Sequence, residues 1–155
     1  MLSQSAEYAL RAVVALAYDP QAPLTTRQIA ERTKVPAGYL SKVLQSLGRA
    51  GLVAGQRGLG GGFRLARPAG SVSILDVVNA VSPLQRIVRC PLSRADHRGE
   101  LCALHQRLDR AYGQVEKALS RTTIAEVLRA PECCRPFGPP EARRAAKRAP
   151  RKRKP

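Results

Sequence analysis

The fold is decided by residues 25–67, which read TTRQIAERTKVPAGYLSKVLQSLGRAGLVAGQRGLGGGFRLAR. Thr25 and Gln28 form a capping-box pattern, in which the threonine hydroxyl caps a helix and the glutamine side chain reaches back to the threonine backbone. The pattern predicts a short helix that runs to about Thr33. Residues 34–38 contain a proline and a glycine, and they predict a turn.

A second helix is predicted after this turn. It ends near Arg49, where Gly51 is suited to close it. Its apolar positions recur at spacings of three and four, which places them on one face: Leu40, Val43, Leu44 and Leu47. Two strand-like runs, residues 52–56 and 63–67, then flank a glycine-rich tip and predict a β-hairpin.

Two helices joined by a tight turn and followed by a hairpin indicate a winged helix-turn-helix. We predict a mainly α fold with a small β-hairpin, in which residues 1–83 form this domain and residues 52–67 form its wing. An amphipathic pattern predicts a further helix over residues 2–18, and Ser73 predicts the start of another that ends before Pro83. A plain helical hairpin would explain the helix pair but not the wing beside it.

The second helix of such a unit presents its N-terminal residues to the major groove of DNA. Its exposed positions are candidates for base or phosphate contacts: Ala37, Gly38, Tyr39, Ser41, Lys42 and Gln45. In the wing, Arg57 suits the negative potential of a minor groove. Gly60 and Gly61 let the tip approach closely, because they carry no side chain. Further candidates for phosphate contacts are Ser3, Gln4, Arg27, Gln28 and Arg64.

The charge of the chain favours a polyanionic partner. The formal net charge is +16, and residues 142–155 hold eight Lys or Arg and no acid, which leaves 19 basic against 11 acidic residues elsewhere. We predict double-stranded DNA as the partner. A membrane is the rival partner, but no apolar run approaches the roughly 20 residues of a spanning helix. The N-terminus lacks a signal-peptide pattern, so a cytoplasmic location is expected.

The second half of the chain predicts a dimerisation element. A long helix is expected over residues 101–120 because apolar residues recur at close to coiled-coil spacing: Leu101, Leu104, Leu108, Tyr112, Val115 and Leu119. We assign residues 102–130 to this dimerisation helix and a short return helix, although the long helix could instead fold back on its own core. Residues 131–155 are expected to be a disordered basic tail, either a nucleic-acid arm or a solvated segment.

Several motifs together resemble one known family. They are Glu7-Tyr8-Ala9-Leu10-Arg11-Ala12, Ile29-Ala30, Tyr39-Leu40, Gly51-Leu52-Val53 and the wing Arg57-Gly58-Leu59-Gly60-Gly61-Gly62-Phe63. From residue 1 to about 130 the chain resembles the IscR/NsrR-type family of bacterial winged-helix regulators. The resemblance implies a homodimer built on the long helix that binds a partly palindromic operator, usually as a repressor. It also implies, for several members, control by an iron–sulfur cluster or nitric oxide.

The cysteines match the family's ligand pattern only in part. Cluster-binding members carry three cysteines before the long helix. Cys90 and Cys102 match the first and third, whereas Asp96 and His97 stand where the middle one would fall. His105 lies three residues after Cys102 and resembles a ligand of one branch. Glu7 resembles a carboxylate ligand that another branch takes from the partner subunit.

Residues 84–101 are therefore interpreted as a sensor or ligand loop, with Cys90, Cys102, His105 and Glu7 as the candidate ligand set. Mixed thiolate and imidazole ligation suits a [2Fe–2S] cluster, and the same set suits zinc. A site without metal and a thiol–disulfide sensor stay open. Cys133 and Cys134 are left out of the site.

The function predicted is a sequence-specific, homodimeric DNA-binding transcriptional regulator. A cluster-free regulator and an architectural DNA-binding protein that relies on its basic tail are the alternatives. An enzyme is not expected, because the chain shows no Ser/His/Asp arrangement and no paired-carboxylate cleft. The glycine run is not a nucleotide-binding loop, since no Lys-Ser/Thr pair follows it.

Overall fold

The computed structural model describes residues 2–58, 60–92, 100–131, 134 and 136–137. Within them lie six α-helices, a short 3-10 helix at Ala69–Ser71 and one two-stranded antiparallel sheet. The helices are α1 (Gln4–Ala17), α2 (Thr26–Thr33), α3 (Ala37–Arg49), α4 (Ile74–Val81), α5 (Ala103–Arg121) and α6 (Ile124–Leu128), and the strands are β1 (Val53–Gln56) and β2 (Gly62–Leu65). The predicted fold class, mainly α with a small hairpin, is confirmed. None of the described helices has the length and hydropathy needed to cross a membrane.

Helix α1 forms the centre of the core. It begins after Ser3, whose hydroxyl accepts a hydrogen bond from the Ala6 N–H, so the helix is shorter than the predicted 2–18. It packs against α2, α3, α4, α6 and β2. Eight of its residues are buried, five of them alanines, whose small side chains let the surrounding helices approach closely. They are Ala6, Ala9, Ala12, Val13, Val14, Ala15, Leu16 and Ala17.

Helices α2 and α3 form the predicted helix pair. Both hydrogen bonds of the capping box are present: the Gln28 N–H donates to Thr25 Oγ1 at 3.2 Å, and the Thr25 N–H donates to Gln28 Oε1 at 2.8 Å. The helix ends at Lys34, which adopts a left-handed conformation with φ 58°. Gly51, with φ 67°, follows the end of α3 as predicted. The chain therefore reverses direction within three residues between α2 and α3.

The wing pairs with a third segment that the sequence analysis did not predict. β1 and β2 are antiparallel, with Val53 opposite Leu65 and Gln56 opposite Gly62, and β2 begins and ends earlier than the predicted 63–67. On its other side, Phe63 exchanges two backbone hydrogen bonds with Leu24, at 2.8 and 2.9 Å. These bonds attach the wing to the segment just before α2.

Helix α5 contacts α4 but adds no buried residue to the core. It begins at Ala103 and ends at Arg121, a shift of one or two residues from the predicted 101–120, and it contains no buried residue. After it the chain returns to the body: Ile124 is fully buried, and its N–H donates to Val72 O at 2.9 Å. The return helix α6 thus contributes to the same core as α1.

Candidate DNA interface and metal centre

Helix α3 divides into a buried apolar face and an exposed polar face. The four leucine and valine side chains expected on its inner face are all buried. The candidate contacts Gly38, Tyr39, Ser41, Lys42 and Gln45 are all exposed, and so is Ala37. A Cβ atom on Gly38 would meet nothing within 4 Å, so the start of the helix is open to a partner. Contact of these residues with DNA stays a prediction.

Tyr39 is held by α1. Its ring packs edge-on against Tyr8, with centroids 5.4 Å apart and planes at 79°, and its hydroxyl is hydrogen-bonded to Ser5 Oγ. Gln4 Nε2 in turn donates to the Tyr8 hydroxyl at 2.9 Å. These contacts orient the N-terminal end of α3 relative to α1, a role that the sequence analysis missed.

Other candidate DNA contacts also form hydrogen bonds or ion pairs within this chain. Ser3 caps α1, and Gln28 closes the capping box of α2. Arg27 pairs with Glu31 at 2.8 Å, although its side chain is 89% exposed. Ser41 Oγ donates to the Ala37 carbonyl at 3.2 Å. Side chains so exposed remain able to reach a ligand.

The wing tip is shaped by glycines that cannot be replaced without movement. A Cβ atom on Gly61 would lie 2.5 Å from the Gln56 carbonyl oxygen, and one on Gly62 would lie 2.6 Å from that of Leu24. The Gly61 N–H also donates to Gly58 O at 2.9 Å. Arg57 and Arg64 are both exposed on this hairpin. The tip is therefore a tightly folded turn that presents its basic side chains outward.

Three of the predicted metal ligands converge. Cys102 is the N-cap residue of α5, His105 lies one turn into that helix, and Cys90 lies in the segment that follows α4. Nδ1 of His105 is 3.1 Å from Cys102 Sγ and 3.6 Å from Cys90 Sγ, and one donor atom from each of the three lies within 4.8 Å of the others. All three are partly buried.

The remaining metal-site candidates lie elsewhere or outside the described residues. Glu7 is on α1, where it pairs with Arg11 at 3.0 Å, and it is not part of the group formed by this chain's own cysteines and histidine. Its donation from a second subunit stays a prediction. Asp96, His97 and Cys133 fall outside the described residues.

An arginine that the sequence analysis missed joins the segment bearing Cys90 to α5. Arg86 binds Asp109 through two hydrogen bonds, Nε to Oδ1 at 2.7 Å and Nη2 to Oδ2 at 2.6 Å, and its Nη1 lies 3.3 Å from Glu116 Oε2. The hydrogen bonds from Arg86 lower the pKa of Asp109, while desolvation acts in the opposite direction. The same bonds raise the pKa of Arg86. The sequence feature that could have indicated this contact is Gly113, a glycine within the predicted helix. A Cβ atom there would lie 3.1 Å from the Arg86 guanidinium.

A second face of α5 carries large apolar side chains that stay exposed among the residues that the structure describes. Leu104, Leu108, Tyr112 and Val115 are between 42% and 61% exposed. Tyr112 also lines an open cavity of about 300 Å³ between α5, the end of α4 and the start of α1. Its other lining residues are Leu2, Ser3, Val78, Ser82, Pro83, Leu84 and Gln85.

Known proteins are similar to this chain in sequence and in fold. A family model described as an iron-dependent transcriptional regulator, Rrf2, matches residues 2–130. The protein of Azotobacter vinelandii named HTH-type transcriptional regulator ORF2 is 30% identical over 128 residues, which cover 82% of this chain and 78% of that protein. Among solved structures, T. potens IscR is similar with a TM-score of 0.68 at 23% identity, covering 83% of this chain and 85% of that one.

CymR of Staphylococcus aureus is similar in two structures. Each has a TM-score of 0.68, at 25% identity for one and 24% for the other, which is an oxidized form. They cover 83% and 84% of this chain, and 98% of CymR in both cases. The chain therefore belongs to the Rrf2 family of transcriptional regulators, and it is a DNA-binding regulator rather than an enzyme.

Proposed function

We propose that the protein binds a partly palindromic operator as a homodimer and represses transcription there. The observation that carries the proposal is the exposed polar face of α3, set beside a wing with outward-pointing arginines. In a helix-turn-helix the side chains at that end of the second helix reach base edges in the major groove. A regulator of this kind acts where the DNA is, which supports a cytoplasmic location.

Side-chain chemistry separates the roles of the candidate contacts. Gln45 and Ser41 can accept and donate hydrogen bonds and are suited to base edges, together with the close approach that Gly38 permits. Lys42, Arg27 and Arg64 are suited to phosphates, which position the protein without reading sequence. Arg57, Gly60 and Gly61 present the wing tip to a minor groove.

The second subunit is proposed to pack on α5. A helix of 19 residues with no buried residue and four large exposed apolar side chains leaves its apolar area in water. Burying such area yields about 25 cal/mol per Å². A two-fold interface would cover the same face on both chains at once. It would also place the two copies of α3 and the wing on two half-sites.

Selection of binding sites from random DNA tests this function. We expect a consensus of two half-sites related by two-fold symmetry, with centres about 10–10.5 base pairs apart or a multiple of that distance. Lys42→Ala should weaken binding to all sequences and reduce the slope of log K against log salt by about 1. Gln45→Ala should cost about 1–3 kcal/mol on the selected site and relax the preference at one position.

Lys117→Ala is the matched control, because Lys117 is exposed on α5 and lies outside its apolar face. It should leave both affinity and salt slope unchanged. Equal affinity of the native protein for selected and random DNA would instead support an architectural DNA-binding protein. A reporter that rises when the operator is bound would contradict repression.

A metal centre at Cys90, Cys102 and His105 is proposed as the control element. Two ligands of one tetrahedral ion lie roughly 3.5–3.8 Å apart, given metal–ligand distances of about 2.3 Å for sulfur and 2.0–2.1 Å for nitrogen. The separation of 3.6 Å from His105 Nδ1 to Cys90 Sγ matches such spacing, whereas the 3.1 Å to Cys102 Sγ is shorter and would have to lengthen around an ion. The donor set thus fits a metal and supplies three of the four protein ligands that a [2Fe–2S] cluster takes. Glu7 of a second subunit is the proposed fourth.

A bound [2Fe–2S] cluster would supply a redox couple, whose potential is raised when imidazole replaces thiolate. The chain's own residues connect the proposed metal centre to α3, the helix proposed to contact DNA. The segment bearing Cys90 follows α4, to which it is tied by the hydrogen bond from the Leu84 N–H to Asn79 Oδ1 at 3.1 Å. Helix α4 packs against both α1 and α3. Movement of Cys90 would therefore shift the support of α3 and alter operator affinity.

Anaerobic purification with iron, sulfide and zinc analysis tests the metal centre. We expect a coloured protein with iron and acid-labile sulfide, and loss of both in Cys102→Ser. Zinc without sulfide would assign a zinc centre, for which the same three donors suffice with one open position. A colourless, metal-free protein would contradict the metal centre.

Thiol redox control is the second candidate, favoured by the two sulfurs lying within 4.8 Å of one another and of the histidine. The oxidized form solved for CymR supports the same idea for a similar protein. A Cys90–Cys102 disulfide that changes operator affinity in the metal-free protein would establish it.

A further inference from the structure

We propose that Arg86 is a positioning residue for the Cys90–Cys102–His105 centre, because its contacts with α5 set where Cys90 lies. The inference rests on the proposed metal centre for its ligand, but the geometry stands without a metal. Cys102 is the N-cap residue of α5 and His105 lies in its first turn, so the start of this helix sets their spacing. Cys90 belongs to a segment without regular structure and needs something else to hold it.

The contact between Arg86 and Asp109 is strong for a contact between partly exposed side chains. Arginine and carboxylate meet in a two-point arrangement, which fixes orientation as well as distance. The Ile87 N–H also donates to Asp109 Oδ1 at 3.0 Å, so Asp109 holds the backbone of the segment as well as its side chain. The Asp109 side chain is only 18% exposed, which limits competition from water.

The spacing along the helix explains how this contact places Cys90. Asp109 lies four residues after His105, one turn along the same face of α5, and Gly113 and Glu116 continue that face. Arg86 lies four residues before Cys90. The segment therefore runs antiparallel to α5, with Arg86 and Ile87 held at Asp109 and Cys90 held at His105. Loss of the Arg86 side chain would remove the two guanidinium bonds and leave the Ile87 N–H bond to Asp109, so the position of Cys90 relative to Cys102 would be less closely defined.

Helix α5 is adapted to this contact. A glycine within a helix is less favourable than alanine, so its presence needs a reason. At Gly113 a methyl group would lie 3.1–3.2 Å from three guanidinium atoms of Arg86, so the missing side chain makes room for the arginine. The contact face lies about a quarter turn around the helix from the exposed apolar face. Contact with a second subunit and placement of Cys90 thus use different sides of α5.

The metal-free test measures the effective concentration of the Cys90 thiol towards that of Cys102. Two protein thiols and one oxidized glutathione give one protein disulfide and two reduced glutathione molecules, so a glutathione buffer reports the equilibrium. In a chain carrying Cys133→Ser and Cys134→Ser, we expect Arg86→Gln to lower this effective concentration about tenfold. Arg86→Lys keeps the charge but not the two-point contact. Its effective concentration should lie between those of the native protein and Arg86→Gln.

Arg89→Gln is the matched control, since it removes the same charge from an exposed arginine in the same segment. The effective concentration of the Cys90 thiol in Arg89→Gln should equal that in the native protein. Circular dichroism and thermal unfolding of each variant show whether it is folded. An unchanged effective concentration in folded Arg86→Gln would overturn the proposal.

The second test uses Zn²⁺ alone, in competition with a chelator. Removing a residue that supports a metal ligand typically lowers affinity about 10- to 100-fold. We expect a loss of this size for Arg86→Gln, none for Arg89→Gln and a larger loss for Cys102→Ser. Failure of native protein to bind Zn²⁺, iron or sulfide would defeat the metal centre, while the disulfide measurement would still decide the role of Arg86. Native-like Zn²⁺ affinity in Arg86→Gln would count against it directly.

Discussion

Single residues of α2 and α3 support the fold and are also candidate DNA contacts. Gln28 and Ser41 are candidate DNA contacts, yet each is also hydrogen-bonded within its own helix. Tyr39 is held by Tyr8 and Ser5 of α1. Removal of such a side chain therefore changes stability and binding together, so a binding defect alone does not identify a base contact. Double-mutant cycles separate the two effects for Tyr39 and Tyr8.

The glycines of the wing offer a prediction at the same scale. Gly62→Ala should destabilise the protein by about 1–3 kcal/mol, because its Cβ would lie 2.6 Å from the Leu24 carbonyl oxygen and break the pairing of Leu24 with Phe63. Operator affinity should fall with it. Urea denaturation and a binding titration measure the two effects.

Gly48→Ala is the control for that substitution. Gly48 lies in α3, and a Cβ there would come no closer than 3.7 Å to another group, the Val53 carbonyl oxygen. It should be neutral or stabilising by up to about 1 kcal/mol. Equal stability of the two variants would show that the close approach of Gly62 to Leu24 does not constrain the wing.

At the scale of elements, α5 combines two faces with different tasks. One bears His105 and Asp109, which contact residues 86–90, and the other bears exposed Leu104, Leu108, Tyr112 and Val115. Helix α5 contacts α4, but none of its own residues is buried in this chain.

The apolar face predicts the behaviour of a charged variant. Leu108→Glu should dissociate the proposed dimer, because it places a carboxylate in the middle of the apolar face. Sedimentation velocity should then give the mass of one chain, near 16.8 kDa. Gln114→Glu adds the same charge on another side of α5 and should leave the mass unchanged; a monomeric native protein would defeat the interface altogether.

The contact between the Cys90 segment and α5 predicts a pH dependence. The pKa of Asp109 is lowered in the fold, so its contribution to stability is complete above the ordinary aspartate pKa of about 3.9 and is lost as the pH falls through its lower folded value. The free energy of unfolding of the native protein should exceed that of Asp109→Asn at neutral pH. The difference should shrink in acid. A difference that is constant with pH would contradict this.

The whole molecule brings its C-terminal segment back to the body. Phe137 is packed against the core, and its N–H donates to the Tyr18 hydroxyl at 3.3 Å, beside Arg32, whose guanidinium lies 4.8 Å from the Tyr18 ring centroid. Phe137 therefore lies at the end of α1, close to α2.

Truncation after Phe137 tests whether these basic residues bind DNA. Removing residues 138–155 takes away eight Lys or Arg. Each phosphate contact contributes about 0.9 to the slope of log K against log salt, so we expect a clearly flatter slope with the selected sequence unchanged. An unchanged slope would make the tail a solvated segment. Retaining Phe137 keeps its packing intact, which truncation after Cys134 or Arg135 would not.

Local sequence determined the helix pair, its capping box and the glycine wing, because capping bonds, apolar periodicity and positive φ angles depend on residues only a few positions apart. The same locality explains why the pairing of Cys102 with His105 was predictable at i and i+3. It also explains errors of one or two residues at the ends of helices, where capping rather than periodicity decides.

Only the tertiary structure decided what lies next to these local units. The pairing of Leu24 with Phe63, the contact of Tyr39 with α1 and the binding of Arg86 to Asp109 join residues 23 to 39 positions apart, beyond the range of any periodic pattern. Because backbone and guanidinium contacts can form with many partners, their choice depends on how α1 and α5 pack. The sequence by itself thus determined the helix pair α2 and α3 with the glycine wing, and the packing determined how Cys90 is held beside Cys102 and His105.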